Sequence, residues 1–150
     1  MANTAAVCTS FKVDQFNGIH AFGTSVVRAA TTADTFKAAL YLASGSLGAS
    51  TTTYSTTSEV SGTGYTAGGV TVTNATAPTS SGTTAYWTPS ASFAWTTMTA
   101  SAFDAVLLYN STQSNKAVAV FNFGSQTVTA SNFTLTMPAN AAATALLQIA

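Results

Sequence analysis

Charge is what this chain has least of. Only 5% of its 150 residues are Asp, Glu, Lys or Arg, against roughly a quarter in an ordinary soluble domain. Four bases balance four acids to a net charge of zero, and the bases, Lys12, Arg28, Lys37 and Lys116, stand singly. With no basic face to displace counterions, a nucleic-acid partner is not expected. Cysteine is nearly absent too. Cys8 is alone, which excludes a scaffold held by intrachain disulfides and leaves a packing residue or an exposed thiol. The single histidine, His20, cannot build the usual zinc clusters within one chain, and no G-x-S-x-G nucleophile elbow occurs. The acids Asp14, Asp34, Glu59 and Asp104 are far apart, so no spacing announces paired carboxylates or a calcium loop. No cofactor and no catalytic residue is expected. Long apolar runs are missing as well, and "MANTAAVCTSFKVDQF" has no basic region leading into one. The expectation is a soluble chain made in the cytoplasm, with no membrane partner.

What is present is methyl and hydroxyl. Hydrophobic residues make up 47% of the chain and aromatics 11%, enough for a core, and the length suits one domain. Threonine and alanine each account for roughly a fifth of the residues, a usage that favours pleated sheet. A near-neutral surface of this kind lacks the mutual repulsion that keeps copies apart, so self-association is expected.

The periodicity agrees. "TFKAALYLAS" alternates Phe36, Ala38, Leu40 and Leu42 with Lys37, Ala39 and Tyr41, the pattern of a half-buried strand. Residues 44–69 turn to Ser, Thr and Gly and read as a long loop or irregular edge strands. After them come "GVTVTNAT", "TAYWTP", "SFAWTTM", "AFDAVLLYN", "KAVAVFNF", "QTVT", "NFTLTMP" and "ALLQIA", with turn signals between. Short strands at this spacing predict an all-β fold, an antiparallel β-sandwich or jelly roll, over 19–150. Residues 1–18 read as an N-terminal arm or short helix, with Ser10 as N-cap and Gly18 as stop. Sequons at Asn74, Asn110 and Asn132 are what chance supplies in so Ser/Thr-rich a chain.

"EVSGTGYTAGG", residues 59–69, poses the sharpest chemical question. Gly62, Gly64 and Ala67 fit the loose dinucleotide fingerprint, but that motif must open a helix and find a carboxylate about 20 residues on. Here a β-branched run follows, and the next acid after Glu59 is Asp104. The glycines are expected to serve a turn or bulge ahead of a strand near Val70. Glu59 and Tyr65 are the side chains of that loop large enough to reach a neighbour. Among the aromatics, Phe93 and Trp95 share parity and are expected in the core, whereas Trp87, beside a turn before Pro89, is the interface candidate. Phe11 and Phe16 are candidates for an arm that orders on a partner.

The stretches "DTFKAALYLASGSLGASTTTYSTTSEVSGTGYTAGGVTVT" and "AVLLYNSTQSNKAVAVFNFGSQTVTASNFTLTMPAN" resemble a recurrent class of small virion proteins of tailed bacteriophages. The resemblance spans nearly the whole chain and carries over no catalytic or cofactor residue. It implies a particle component. The role expected within a particle is capsid decoration or cement: a homo-oligomer, a trimer on local three-fold positions of the capsid surface, with the major capsid protein as partner. The alternative is a tail- or fibre-associated adhesin module that binds host glycan.

Overall fold

The computed structural model describes residues 3–8, 10, 11, 15, 19, 20, 22, 32–73 and 75–149. Among these residues eight strands form: β1 (Ala6–Val7), β2 (Phe36–Leu42), β3 (Val70–Thr71), β4 (Thr79–Ser81), β5 (Thr84–Trp87), β6 (Phe93–Asn110), β7 (Lys116–Leu135) and β8 (Leu147–Ile149). They make a five-stranded sheet in the order β1-β7-β6-β2-β3 and a three-stranded sheet in the order β4-β5-β8. Every pairing is antiparallel. The protein is all-β and sandwich-like, as the alternating pattern predicts.

The strand count hides a difference in scale. "FAWTTM" and "AFDAVLLYN" belong to one strand of 18 residues, and "KAVAVFNF", "QTVT" and the "NFTL" of "NFTLTMP" to one of 20. The apparent breaks are bulges. The β6–β7 register shifts between Trp95 and Met98, Met98 and Ala100, Ala100 and Phe103, and Phe103 and Ala105. Residues in the left-handed region sit at these four places, Thr97 (φ 50), Ala130 (φ 45), Ala102 (φ 54) and Gly124 (φ 80). A bulge consumes one extra residue in one strand and bends the ribbon, so the hairpin runs on through sequence that reads as turns. Three of the four residues carry a Cβ and hold a conformation that costs about 1–2 kcal/mol each for an L-residue.

Strand β2 is covered on both faces rather than one, so the half-buried expectation is corrected. On one face Ala38 and Leu40 are buried and Phe36 packs against Phe22 and Trp87: the rings of Phe22 and Phe36 stack at 4.6 Å, and Phe22 meets Trp87 at 4.8 Å. On the other face Ala39 and Tyr41 are buried beneath the segment 43–69. The alternation misleads because on the side that carries Lys37 the small Ala39 and the aromatic Tyr41 are buried as fully as the residues opposite.

That covering segment is a loop stitched to the sheet. Leu42 N–H donates to Ser58 O, Val60 N–H to Leu40 O and Thr99 N–H to Thr63 O, each at 2.9 Å. Its glycines sit where backbone meets backbone. A Cβ on Gly62 would strike Thr99 O, one on Gly64 would strike Thr97 O, and one on Gly69 (φ 70) would strike Ala38 O.

The N-terminus is docked where it is described. Ala6 and Val7 pair with Val120 and Ala119, and Cys8 N–H donates to Val118 O at 3.1 Å. Residues 3–8 are thus an edge of the large sheet, not an arm directed at a partner. The expected helix, Phe16 included, falls mostly outside the described residues.

Gly69→Ala is expected to destabilise the fold by about 2–4 kcal/mol, from left-handed strain plus overpacking. Gly82→Ala, where φ is also positive but nothing lies within 4 Å, is expected to cost only about 1 kcal/mol. Urea midpoints of the two variants measure the difference.

Candidate functional site

The ionisable groups are the place to look for chemistry, and the fold has drawn them inward. Glu59 is 8% exposed, and its carboxylate accepts three hydrogen bonds. Tyr65 Oη donates to Oε1 at 2.8 Å, Gly68 N–H to Oε1 at 2.7 Å, and Tyr54 Oη to Oε2 at 2.7 Å. The tyrosines are held in turn. Leu40 N–H donates to Tyr65 Oη at 2.9 Å, Tyr109 Oη donates to Gly68 O at 2.8 Å, and Tyr54 stacks on Tyr109 at 4.7 Å and 15°. The glycine loop does cradle an anion, with a backbone N–H and two phenols, and that anion is its own glutamate. An external phosphate would have to displace it.

Asp104 is built the same way. Asn3 Nδ2 donates to its Oδ1 at 2.6 Å and Asn122 Nδ2 to its Oδ2 at 3.2 Å. Asn3 also donates to Leu42 O and accepts from Leu47 N–H, tying the first described residue to the start of the covering loop. A third centre joins Asp34, Asn110, Gln113 and His20: Asn110 Nδ2 donates to Asp34 Oδ2 at 2.8 Å and lies 3.0 Å from His20 Nδ1, and Gln113 Nε2 donates to Asp34 Oδ1 at 3.2 Å. Asn110 is fully buried, so its sequon has no room for a glycan. Thus all three described acids are buried, and each accepts hydrogen bonds from side-chain amides or from phenols and a backbone N–H.

Burial dominates the tyrosine electrostatics. It pushes the phenols of Tyr41, Tyr54 and Tyr65 up, with Glu59 adding to the rise in each, and carries Tyr109 up to about 12, again helped by the charge of Glu59. Burial alone pushes the Cys8 thiol up to about 11. A thiol held protonated is a poor nucleophile, which fits Cys8 as a packing residue. No group of three or more His, Cys, Asp or Glu side chains able to hold a metal occurs among the described residues, and no helix there is long and apolar enough to cross a membrane.

The expected interface residues do not gather into one patch. Trp87 is 2% exposed, packs on Phe22 and Phe36, and donates Nε1–H to Thr76 O at 2.9 Å, so it belongs to the core. Phe11 is also buried, against His20 and Phe22. Glu59 and Tyr65 do reach a neighbour, but the neighbour is their own sheet. Phe16 lies outside the described residues. Phe93 and Trp95 are buried as their parity predicts.

Two surface features were not anticipated. A cleft of about 290 Å³ lies between the glycine loop and the hairpin, with Ser61, Thr99, Ser101, Thr127 and Thr129 around a floor of Leu42, Ala100 and Val128. All five polar side chains there are hydroxyls. The second feature is the outer edge of β7, which β1 pairs only at Ala119 and Val120. Among the described residues no strand continues that pairing along 121–135. The signal for it was in the sequence: after Lys116 the chain contains no charged residue.

No family model, no curated protein and no solved structure matches the chain.

Glu59→Ala strands two phenols and an N–H and is expected to cost about 3–5 kcal/mol; Glu59→Gln, which keeps one acceptor oxygen, is expected to cost about 1–3 kcal/mol. Thermal and urea unfolding of the two variants ranks them. The raised acid constants also set a pH dependence. Below about pH 8 Cys8 and the tyrosines are protonated in both states and contribute no slope. From about pH 9 the unfolded chain releases the Cys8 proton, and from about pH 10 those of the tyrosines, while the folded chain keeps them until about 11 for Cys8 and about 12 for Tyr109. The unfolded state then binds fewer protons, so stability falls as pH rises through that window. Urea midpoints at pH 7, 8, 9.5 and 10.5 should be level between 7 and 8 and decline above. Tyrosinate absorbance from the buried phenols should appear with unfolding, not before it.

Proposed function

We propose that the protein is a non-enzymatic structural component of a phage-type virion. It binds the assembled capsid as an oligomer, a trimer, and stabilises it as a decoration or cement protein. The observation that carries this reading is the use of the acids: Asp34, Glu59 and Asp104 all hold backbone and amides in place from buried positions, which is structural work. The sequence resemblance to small phage virion proteins supports the same reading. Its partners are the major capsid protein and further copies of itself, and its location is the capsid surface. Binding the assembled shell and not its dissociated subunits would stabilise the shell by mass action. A surface of hydroxyls and methyls, with few ion pairs to screen, would keep that attachment in high salt.

A second reading, a tail- or fibre-associated adhesin module, has one specific observation in its favour. The hydroxyl-lined cleft at Ser61, Thr99, Ser101, Thr127 and Thr129 offers neutral donors and acceptors to a neutral polyol such as a host glycan. It loses the aromatic platform, since Trp87 is buried.

Copy number in purified particles separates the two. Hundreds of copies retained on tailless heads are the expected result. A handful of copies lost with the tails, together with glycan binding abolished by Thr127→Val, would replace decoration with adhesion.

A further inference from the structure

Among the described residues each sheet leaves an unpaired edge within the uncharged last quarter of the chain. On the large sheet it is β7 beyond Val120, and on the small sheet it is the outer side of β8, whose Ile149 is 58% exposed, the large hydrophobic side chain that the described residues leave to solvent.

Open edges are templates for another strand, and soluble proteins guard them with Lys, Pro, inward charges, bulges or a covering segment. Neither edge carries a charge, because Lys116 is the last charged residue. Proline is absent from β7 and β8, Pro138 lying between them. The bulges at Gly124 and Ala130 are guards, with a third irregularity at Ala102 on the facing strand, and between them β7 keeps the run 125–129 free of left-handed residues. Thr127 and Thr129 in that run are exposed. β-branched pairs across an antiparallel ladder are favourable, and two uncharged strands meet without like-charge repulsion.

We infer that these edges are made for each other: the β8 edge of one copy pairs with the β7 edge of a second copy, over the run 125–129. The occupant is another copy of this chain, since one chain carries both edges, each uncharged, and its zero net charge removes long-range repulsion between copies. Because the two edges differ, the contact is head-to-tail, and head-to-tail contacts close into rings when the rotation allows. The inference rests on the self-association in the reading above and supplies its contact; three copies would close the proposed trimer, with each β7 edge filled.

Mixing complementary variants tests it. Thr129→Lys spoils the β7 edge and leaves β8 intact, whereas Ile149→Lys does the reverse; both positions are exposed, so both variants should fold with native circular dichroism. Light scattering after size exclusion should show the unaltered protein as a trimer and each variant alone as a monomer, self-association being weakened by about tenfold or more. An equimolar mixture should form dimers that grow no further, because one good pair of edges remains. The inference is overturned if the unaltered protein is monomeric at every concentration, if either variant stays trimeric, or if the mixture stays monomeric. Hydrogen exchange on the unaltered protein needs no variant: amides of 125–129 should lose protection on dilution, and protection independent of concentration would overturn the pairing. These measurements use purified protein alone. Their failure therefore leaves the particle-location experiment to decide the virion reading separately.

Discussion

The Glu59 carboxylate is the point on which the large sheet depends. Three donors converge on it, from Tyr54, Tyr65 and the Gly68 backbone, and each belongs to a segment that would otherwise lie loose over β2 and β6. A carboxylate this far from water needs its lone pairs filled, and a loop rich in Ser, Thr and Gly needs something to order it. Each requirement meets the other. Once the loop is fixed, Tyr41 and Tyr109 are roofed, β2 and the 103–110 half of β6 are buried on both faces, and the other face of β2 receives Trp87. The glycines follow from the same constraint, because a loop pulled down onto strands brings carbonyl oxygens where side chains would start.

The class of fold was legible because β-branched and aromatic residues recur with period two through most of the second half, and the parity of Phe93 and Trp95 was enough to place both inside. Length was not legible. A bulge uses one extra residue and shifts parity, so β6 and β7 read as several short strands although each is continuous. Trp87 was misplaced because a tryptophan beside a turn proline looks peripheral, while its burial depends on Phe22 and Phe36, remote in sequence. The site was least legible of all. Glu59 stands within reach of Tyr54 and Tyr65 along the chain, which hinted at a local cluster, but Tyr109 and the Asn3–Asp104–Asn122 group assemble only across strands. The absence of charge after Lys116 was visible at once. Its meaning emerged only when that stretch proved to hold an unpaired edge of each sheet.

Buried acids and a neutral exterior form one design. Few charges are available, and the described acids serve as internal ties, so the described surface is made mostly of hydroxyls and methyls. Such a surface gives little directional pull on a partner from afar and makes shape and edge pairing the means of recognition. It also binds little salt, so the same contacts should hold in media that strip ion-paired subunits apart.

The uncharged stretch that forms the hairpin's second strand has a further consequence for anyone counting this protein. Trypsin cuts after Lys or Arg, and from residue 117 through residue 150 it finds neither, so β7 and β8 leave the digest together as one long, apolar, hydroxyl-rich fragment. Peptide-based inventories favour short charged fragments and would undercount it. A protease that cleaves beside the half-buried phenylalanines of β7, applied after unfolding, recovers the same molecules in measurable pieces.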